Sequence, residues 1–217
     1  MATADPISLA LLLSLMALIP IAVVTTTSFV KLAIVLTLVR NAMGVQQVPP
    51  NIALYGLALI LSVYIMAPIG TRIYDNAIAI PDGDKSIPAM ITSFRESAEP
   101  LRGFLERNSR QQQRDFFLRT SQRLWGPDLS RGIKPNDYII LIPAFLVSEL
   151  SSAFEIGFLL FLPFVVIDLI VSNILLSMGM MMVSPVTISL PFKLFLFVAV
   201  DGWSRLIGGL VLTYAVS

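Results

Sequence analysis

The third apolar stretch of the chain, residues 138–183, decides the fold and reads YIILIPAFLVSELSSAFEIGFLLFLPFVVIDLIVSNILLSMGMMMV. It is more than twice as long as the ~20 residues that a membrane-crossing helix needs. Pro143 and Pro163 interrupt it, and three acidic residues lie within it. Because proline removes a backbone donor and kinks or ends a helix, the stretch predicts two membrane-type helices.

Three further apolar runs accompany this stretch. They cover Ile7–Val39, Ile52–Ile69 and the chain from Val186 to the C-terminus. A straight helix over the first run would be ~50 Å long, which exceeds a hydrocarbon core of ~30 Å. Pro20 and the hydroxyl-bearing stretch Thr25–Ser28 lie inside that run, so we expect a kinked helix there. Together the runs predict an all-α fold of multi-pass, membrane-type helical hairpins with broken or kinked helices.

Charged residues are concentrated in one part of the chain. Apolar residues make up 56% of the protein and charged residues only 13%, against about 25% charged residues in soluble domains. Of the 29 charged residues, 20 lie between Arg72 and Asp137. The sequence therefore predicts three segments: an N-terminal hairpin over residues 1–70 with a connecting loop at 40–51, a polar module over 71–137, and C-terminal kinked hairpins over 138–217.

The polar module itself has a helical pattern. Between Ser93 and Trp125 apolar residues, among them Phe94, recur at spacings of three, four and seven, which predicts amphipathic helices. Asn108–Ser109 predicts a break between two of them, and Pro81–Asp84 predicts a turn.

The distribution of positive charge predicts the orientation. Four apolar elements place both termini on one side of a membrane, and the short loop that carries Arg40 is favoured in the cytoplasm. The termini and the 71–137 module are then periplasmic.

Two residue types that carry much protein chemistry are missing. The sequence has no cysteine and no histidine, which excludes disulfides and thiol catalysis and removes the commonest general base and metal ligand. The net charge of +1 gives no case for nucleic acid. We therefore expect no cofactor, no metal ion and no enzymatic activity.

Three stretches carry a more specific pattern. The first is RNAMGVQQVPPN at residues 40–51, and the second is FEIGF at 154–158 with LPFVVIDL at 162–169. The third is MGMMMVSP at 178–185, followed by TISLPFK and DGW up to Trp203. Together they resemble the SctR/FliP family of type III secretion export-gate proteins, over nearly the whole chain apart from parts of residues 71–137.

This resemblance implies an assembly. Family members form a five-membered ring with small SctS-like and SctT-like subunits in the bacterial inner membrane, beside an SctU-like switch protein and an SctV-like export protein. The assembled gate is raised largely towards the periplasm and is the entrance for unfolded secreted proteins. Flagellar members commonly begin with a cleavable signal sequence. The start of this sequence lacks the basic stretch of such a signal, which favours the injectisome SctR branch.

Four methionines are the sharpest candidate site: Met178, Met180, Met181 and Met182. Methionine is unbranched and polarizable, so its side chain adapts to varied neighbours. The residues alone favour core packing or a lipid-facing helix end over a seal around a pore. The resemblance implies the latter, because these positions match the methionine gasket of the family.

Isolated charges inside the apolar runs form the second candidate site. Lys193 needs a partner or a route to water, and the acids Glu149, Glu155 and Asp168 are candidates. We favour an ion pair of Glu149 with Lys193 that joins neighbouring subunits, while snorkelling of Lys193 to an interface remains the alternative. Lys31 is a further intramembrane charge. Such residues also leave open a secondary transporter or an ion-channel subunit.

Overall fold

The computed structural model describes residues 6–45, 47–78 and 96–215. Within these ranges every regular element is an α-helix, which confirms the all-α fold. The helices are α1 Pro6–Thr26, α2 Phe29–Ala42, α3 Asn51–Ile78, α4 Glu99–Asn108, α5 Gln111–Ser130, α6 Tyr138–Ser177, α7 Pro185–Ala199 and α8 Gly202–Leu212.

The stretch that decides the fold forms one helix rather than two. α6 runs for 40 residues and continues through Pro143 and Pro163, so the prediction of two helices was wrong. A proline deletes only one intrahelical hydrogen bond. Where the surroundings are apolar, the rest of the backbone has no partner except the helix itself, which favours its continuation.

The first apolar run breaks, as expected, and the break lies at its hydroxyl-bearing residues. α1 contains Pro20 and ends at Thr26, and α2 begins at Phe29. The hydroxyl groups before the break donate to carbonyl oxygens one turn earlier, with 2.7 Å from Thr26 Oγ1 to Ala22 O. Thr27 Oγ1 in turn accepts from the Phe29 backbone N–H at 3.3 Å. Hydroxyl side chains thus supply backbone partners where the ladder of helical hydrogen bonds stops.

The length and composition of the helices are those of a membrane protein. α3 and α6 are each long and apolar enough to cross a membrane. Within the described residues, up to four spans result if α1 with α2, and α7 with α8, each count as one broken span.

The chain divides into two compact units. One contains Met1–Val30 and Pro68–Ser148, and the other contains Lys31–Ala67 and Glu149–Ser217. These boundaries differ from the three segments predicted from composition, and α3 extends to Ile78, past residue 70. The three segments remain a prediction.

The first unit includes the described part of the polar module. α4 and α5 are separated at Ser109 and Arg110, which confirms the predicted break. The Arg110 backbone N–H donates to Ser148 Oγ at 2.9 Å, and Phe104 packs on Phe145 with ring centroids 5.6 Å apart. The predicted turn at 81–84 and the apolar residue Phe94 lie outside the described residues.

The second unit is built around α2. The buried residues of this helix recur every three or four positions and include Leu32, Val35, Leu36 and Val39. α6 approaches the same helix closely at Gly157. A Cβ added there would lie 2.3 Å from Leu38 Cδ1. Glycine thus permits a helix contact that any side chain would obstruct.

Candidate functional site, a methionine loop and two ion pairs

The loop between α6 and α7 has a defined backbone. Gly179 adopts a positive φ of 75°, a conformation that costs glycine little. Its N–H donates to Leu176 O at 3.0 Å, and the Met180 N–H donates to Leu175 O at 2.9 Å. This pair of bonds is a Schellman motif, which ends α6 and turns the chain out of the helix axis.

The rest of the loop folds on itself. The Val183 N–H donates to Met180 O at 3.3 Å, and α7 then begins at Pro185, directly after Ser184. Proline suits the first turn of a helix, where no intrahelical donor is needed. The sequence GMMMVSP therefore forms a short, hydrogen-bonded connection.

This connection, residues 178–184, is called the methionine loop below. All four predicted methionines lie in it and are exposed, from 43% for Met180 to 101% for Met182. They do not belong to the core of the single chain. Four apolar, adaptable side chains at one loop form a surface suited to contact with other molecules.

The first ion pair, in which the lysine is buried, joins α6 to α7. Lys193 Nζ donates to Asp168 Oδ2 at 2.7 Å, and Ser189 Oγ donates to Asp168 Oδ1 at 2.5 Å. Ser189 and Lys193 lie one turn apart on α7, so one carboxylate binds both. Lys193 also donates to Ala42 O at the end of α2, at 3.3 Å. A lysine there binds a carbonyl that has no partner inside the helix.

The second buried ion pair joins α2, α6 and the residues after α8. Lys31 Nζ lies 2.9 Å from Glu149 Oε1, and both side chains are almost fully buried. Tyr214 donates its phenolic hydrogen to Glu149 Oε2, and its ring centroid lies 4.1 Å from Lys31 Nζ. The carboxylate thus has two donors, and the ammonium lies against an aromatic face.

Tyr214 follows α8, outside the apolar helices. Burial raises the pKa of its phenol, and the nearby Glu149 carboxylate raises it further. The phenol therefore stays neutral and donates its hydrogen. Tyr214 is not among the residues predicted from the sequence, where its one signal is a polar ring close to the end of an apolar run.

The structure pairs the predicted charges differently from the sequence analysis. Within the chain Glu149 pairs with Lys31, and Lys193 pairs with Asp168. The reason for expecting a Glu149–Lys193 pair was that each group needed a counter-charge, and each has one in its own chain. An inter-subunit contact of these two residues stays a prediction. Glu155 lies exposed on α6 and joins neither pair.

The 40–51 loop lies next to α7. Arg40 donates to Pro49 O at 3.1 Å and to Asn51 Oδ1 at 2.6 Å, which ties the two ends of the loop together. A Cβ added at Gly44, whose φ is 77°, would lie 3.6 Å from Leu190 Cδ1. The loop therefore packs beside the α7 residues that carry the first ion pair.

The charged groups of the two ion pairs are arranged as structural contacts rather than as a reactive site. Each of the four charges in the two pairs is neutralised by a partner. Among the residues that the structure describes, no cluster of acids is placed to hold a metal ion. The fold and site define a helical membrane protein with internally paired charges and an exposed methionine loop.

Comparison with known proteins identifies the family. The FliP family pattern matches residues 12–210, so the chain belongs to the FliP family. It is 52% identical over 210 residues to the Yop proteins translocation protein R of Yersinia pestis, covering 97% of each chain. It is 46% identical over 212 residues to the virulence protein YscR of Salmonella typhimurium, covering 97% of this chain and 98% of that one. The probable translocation protein y4yL of Sinorhizobium fredii is 51% identical over 197 residues, which cover 91% of this chain and 89% of that one.

These relatives confirm the resemblance found in the motifs, including its injectisome SctR branch. The family pattern covers the methionine loop and the four charges of the two ion pairs, and it ends at residue 210, before Tyr214.

Proposed function

We propose that this protein is a core subunit of the export gate of a type III secretion system, and that its methionine loop closes the gate at rest. Relatives named for translocation of Yop proteins and for harpin secretion support this role. The observation that carries it is the methionine loop, which has a fixed backbone and four exposed methionine side chains.

The chemistry of methionine suits a seal. Its side chain has three rotatable bonds and no branch, so several copies fill an irregular space and rearrange at little cost. The Schellman motif holds the backbone while the side chains move. Such a constriction blocks small solutes at rest and deforms around an unfolded polypeptide without sequence-specific contacts. The role requires no catalysis by this chain.

The gate is an assembly in this proposal. Five copies form a ring in the inner membrane with SctS-like and SctT-like subunits, next to an SctU-like switch protein and an SctV-like export protein. Exposed apolar side chains on α3 and α6, such as Ile60 and Phe158, support extensive contacts outside the single chain. If the gate is raised towards the periplasm, partner subunits rather than lipid cover much of this surface.

A transporter or ion-channel subunit is the alternative from the sequence. Its charges would have to bind a substrate or move protons. Lys31, Glu149, Asp168 and Lys193 instead bind one another in two pairs. This pairing favours the structural role, and no other observation on the described residues favours transport of a small solute.

A leak assay tests the seal. The variant Met180→Ala/Met181→Ala/Met182→Ala is expressed with the neighbouring export-gate subunits, and dye or ion leakage across the membrane is measured. We expect leakage to rise, because truncated side chains no longer meet across the constriction. The control is Met16→Ala, which truncates an exposed methionine on α1, outside the methionine loop. Normal assembly with unchanged leakage would argue against the seal, as would equal leakage of the control.

A further inference from the structure

A groove on the second compact unit is lined by residues that belong neither to the ion pairs nor to the methionine loop. It is lined by α2, α6, α7 and α8 and has a volume of about 370 Å³. Ligand pockets typically span roughly 300–1,000 Å³. Its walls are almost wholly apolar and include Val39, Leu160, Leu196 and Leu206.

Aromatic packing shapes the end of the groove near α8. Phe197 lies against Trp203 with ring centroids 5.3 Å apart and against Phe164 at 6.5 Å. A Cβ added at Gly202 would lie 2.5 Å from the Phe197 ring, so the ring occupies the space that a side chain at residue 202 would fill. The groove is therefore built by specific packing where α7 and α8 meet at a bend of 61°.

One lining residue carries a charge. Arg205 lies in the first turn of α8 and borders the apolar wall. The positive end of the helix dipole lies at that turn, so a cation there lacks favourable backbone electrostatics. The nearest acid along the helix, Asp201, accepts from Ser204 Oγ at 2.9 Å. In the part of the chain that the structure describes, Arg205 has no ion pair.

An arginine next to apolar helices in a membrane protein requires an anion or water. The combination of apolar walls with a single lining cation matches an amphiphile with one negative head and an apolar chain. Anionic phospholipids have this chemistry and are present wherever such a protein resides. A partner helix fits less well, because it would have to present a lone acid opposite Arg205 and otherwise only apolar side chains.

We propose that this groove binds one anionic phospholipid, with an acyl chain along the wall formed by Leu160, Leu196 and Leu206 and the phosphate against the Arg205 guanidinium. A guanidinium binds two phosphate oxygens through parallel N–H donors. The site is independent of the proposed gate function, since its residues do not include the methionine loop.

Native mass spectrometry of the full chain in mild detergent tests this site. Phosphatidylglycerol or phosphatidylcholine with identical acyl chains is added at equal concentration, and the retained lipid is counted. We expect retention of phosphatidylglycerol to exceed that of phosphatidylcholine by about ten-fold, the effect of a charge-assisted hydrogen bond.

Two arginine variants separate the site from general surface charge. Arg205→Gln is expected to abolish the preference for phosphatidylglycerol. Arg131→Gln, which removes an exposed arginine far outside the groove in sequence, is expected to keep it. A preference retained in Arg205→Gln, or lost equally in both variants, would overturn the proposal.

A third variant tests the apolar wall. Leu196→Phe enlarges a lining side chain and is expected to lower retention of both lipids while leaving any preference between them unchanged. Should this variant not fold, Arg205→Gln still decides the question. A loss of stability lowers the retention of both lipids and does not create a preference between head groups. A groove filled by a neighbouring subunit in a purified assembly, without lipid, would assign it to a protein partner and also overturn the proposal.

Discussion

Lys193 and Asp168 lie on opposite sides of the methionine loop in sequence and meet in space, with 2.7 Å between Nζ and Oδ2. The two helices that flank the loop, α6 and α7, are thus joined by an ion pair. The lysine is buried, whereas the Asp168 side chain is about one-third exposed. The two partners therefore differ in what their removal costs.

The first prediction concerns this asymmetry. Asp168→Asn removes the counter-charge of a buried ammonium, which then has only neutral acceptors such as the Ala42 carbonyl. We expect it to destabilise the protein by about 2–3 kcal/mol, below the usual ~3–5 kcal/mol for a fully buried pair because water reaches Asp168. Lys193→Met should cost less, since Asp168 keeps Ser189 and water. Thermal unfolding in detergent, followed by circular dichroism, measures both, and equal effects would contradict the asymmetry.

The second prediction concerns the cluster around Glu149. Lys31→Met leaves a carboxylate that is 2% exposed without its counter-charge, at a cost of about 3–5 kcal/mol. Tyr214→Phe removes one hydrogen bond to a charged group and should cost about 1.5–3 kcal/mol. The ranking of the two unfolding temperatures checks the cluster, and a larger effect of Tyr214→Phe would oppose it.

Charge reversal distinguishes the pair within the chain from the predicted inter-subunit pair. We expect the double variant Lys31→Glu/Glu149→Lys to recover part of the unfolding temperature lost in Glu149→Lys, because the attraction is restored between the same positions. The double variant Glu149→Lys/Lys193→Glu should not recover it in the single chain. If only the second variant restores the oligomer on a native gel, Glu149 and Lys193 pair across subunits in the assembly.

The third prediction concerns the contact of α6 with α2. Gly157→Ala places a methyl group 2.3 Å from the original position of Leu38 Cδ1, so the helices must separate or the leucine must move. We expect a loss of about 1–3 kcal/mol in stability, as for other overpacked sites.

Gly208→Ala is the matched control for that substitution. A Cβ at Gly208 on α8 meets nothing within 4 Å, so the substitution should be neutral or stabilise by up to about 1 kcal/mol through helix propensity. The double variant Gly157→Ala/Leu38→Ala tests the mechanism. If Leu38→Ala does not restore the stability lost in Gly157→Ala, the contact between these two residues is not the cause of the loss.

The fourth prediction separates the backbone of the methionine loop from its side chains. Gly179→Ala keeps all four methionines but disfavours the left-handed conformation at the end of α6 by about 1–2 kcal/mol. We expect leakage to rise in the dye assay although no methionine is lost, because the side chains are no longer held in register. Unchanged leakage together with normal assembly would show that the Schellman motif does not position the seal.

Sequence patterning was sufficient for the class of fold and the location of the loop. Long apolar runs leave the backbone no partner except itself, so helices follow from composition alone. The break after Asn108 and the glycine at the end of α6 are local features, and their residues specify them directly.

The pairing of charges, in contrast, was decided by tertiary structure. Lys31, Glu149, Asp168 and Lys193 are visible as isolated charges in the sequence, but periodicity does not say which helix lies beside which. Glu149 lies on a helix packed with α2, and Tyr214 reaches it from beyond the last helix. Partner choice therefore depends on packing between segments far apart in the chain. A local pattern, such as the one that ends a helix at Gly179, needs only its immediate neighbours and can be read from them.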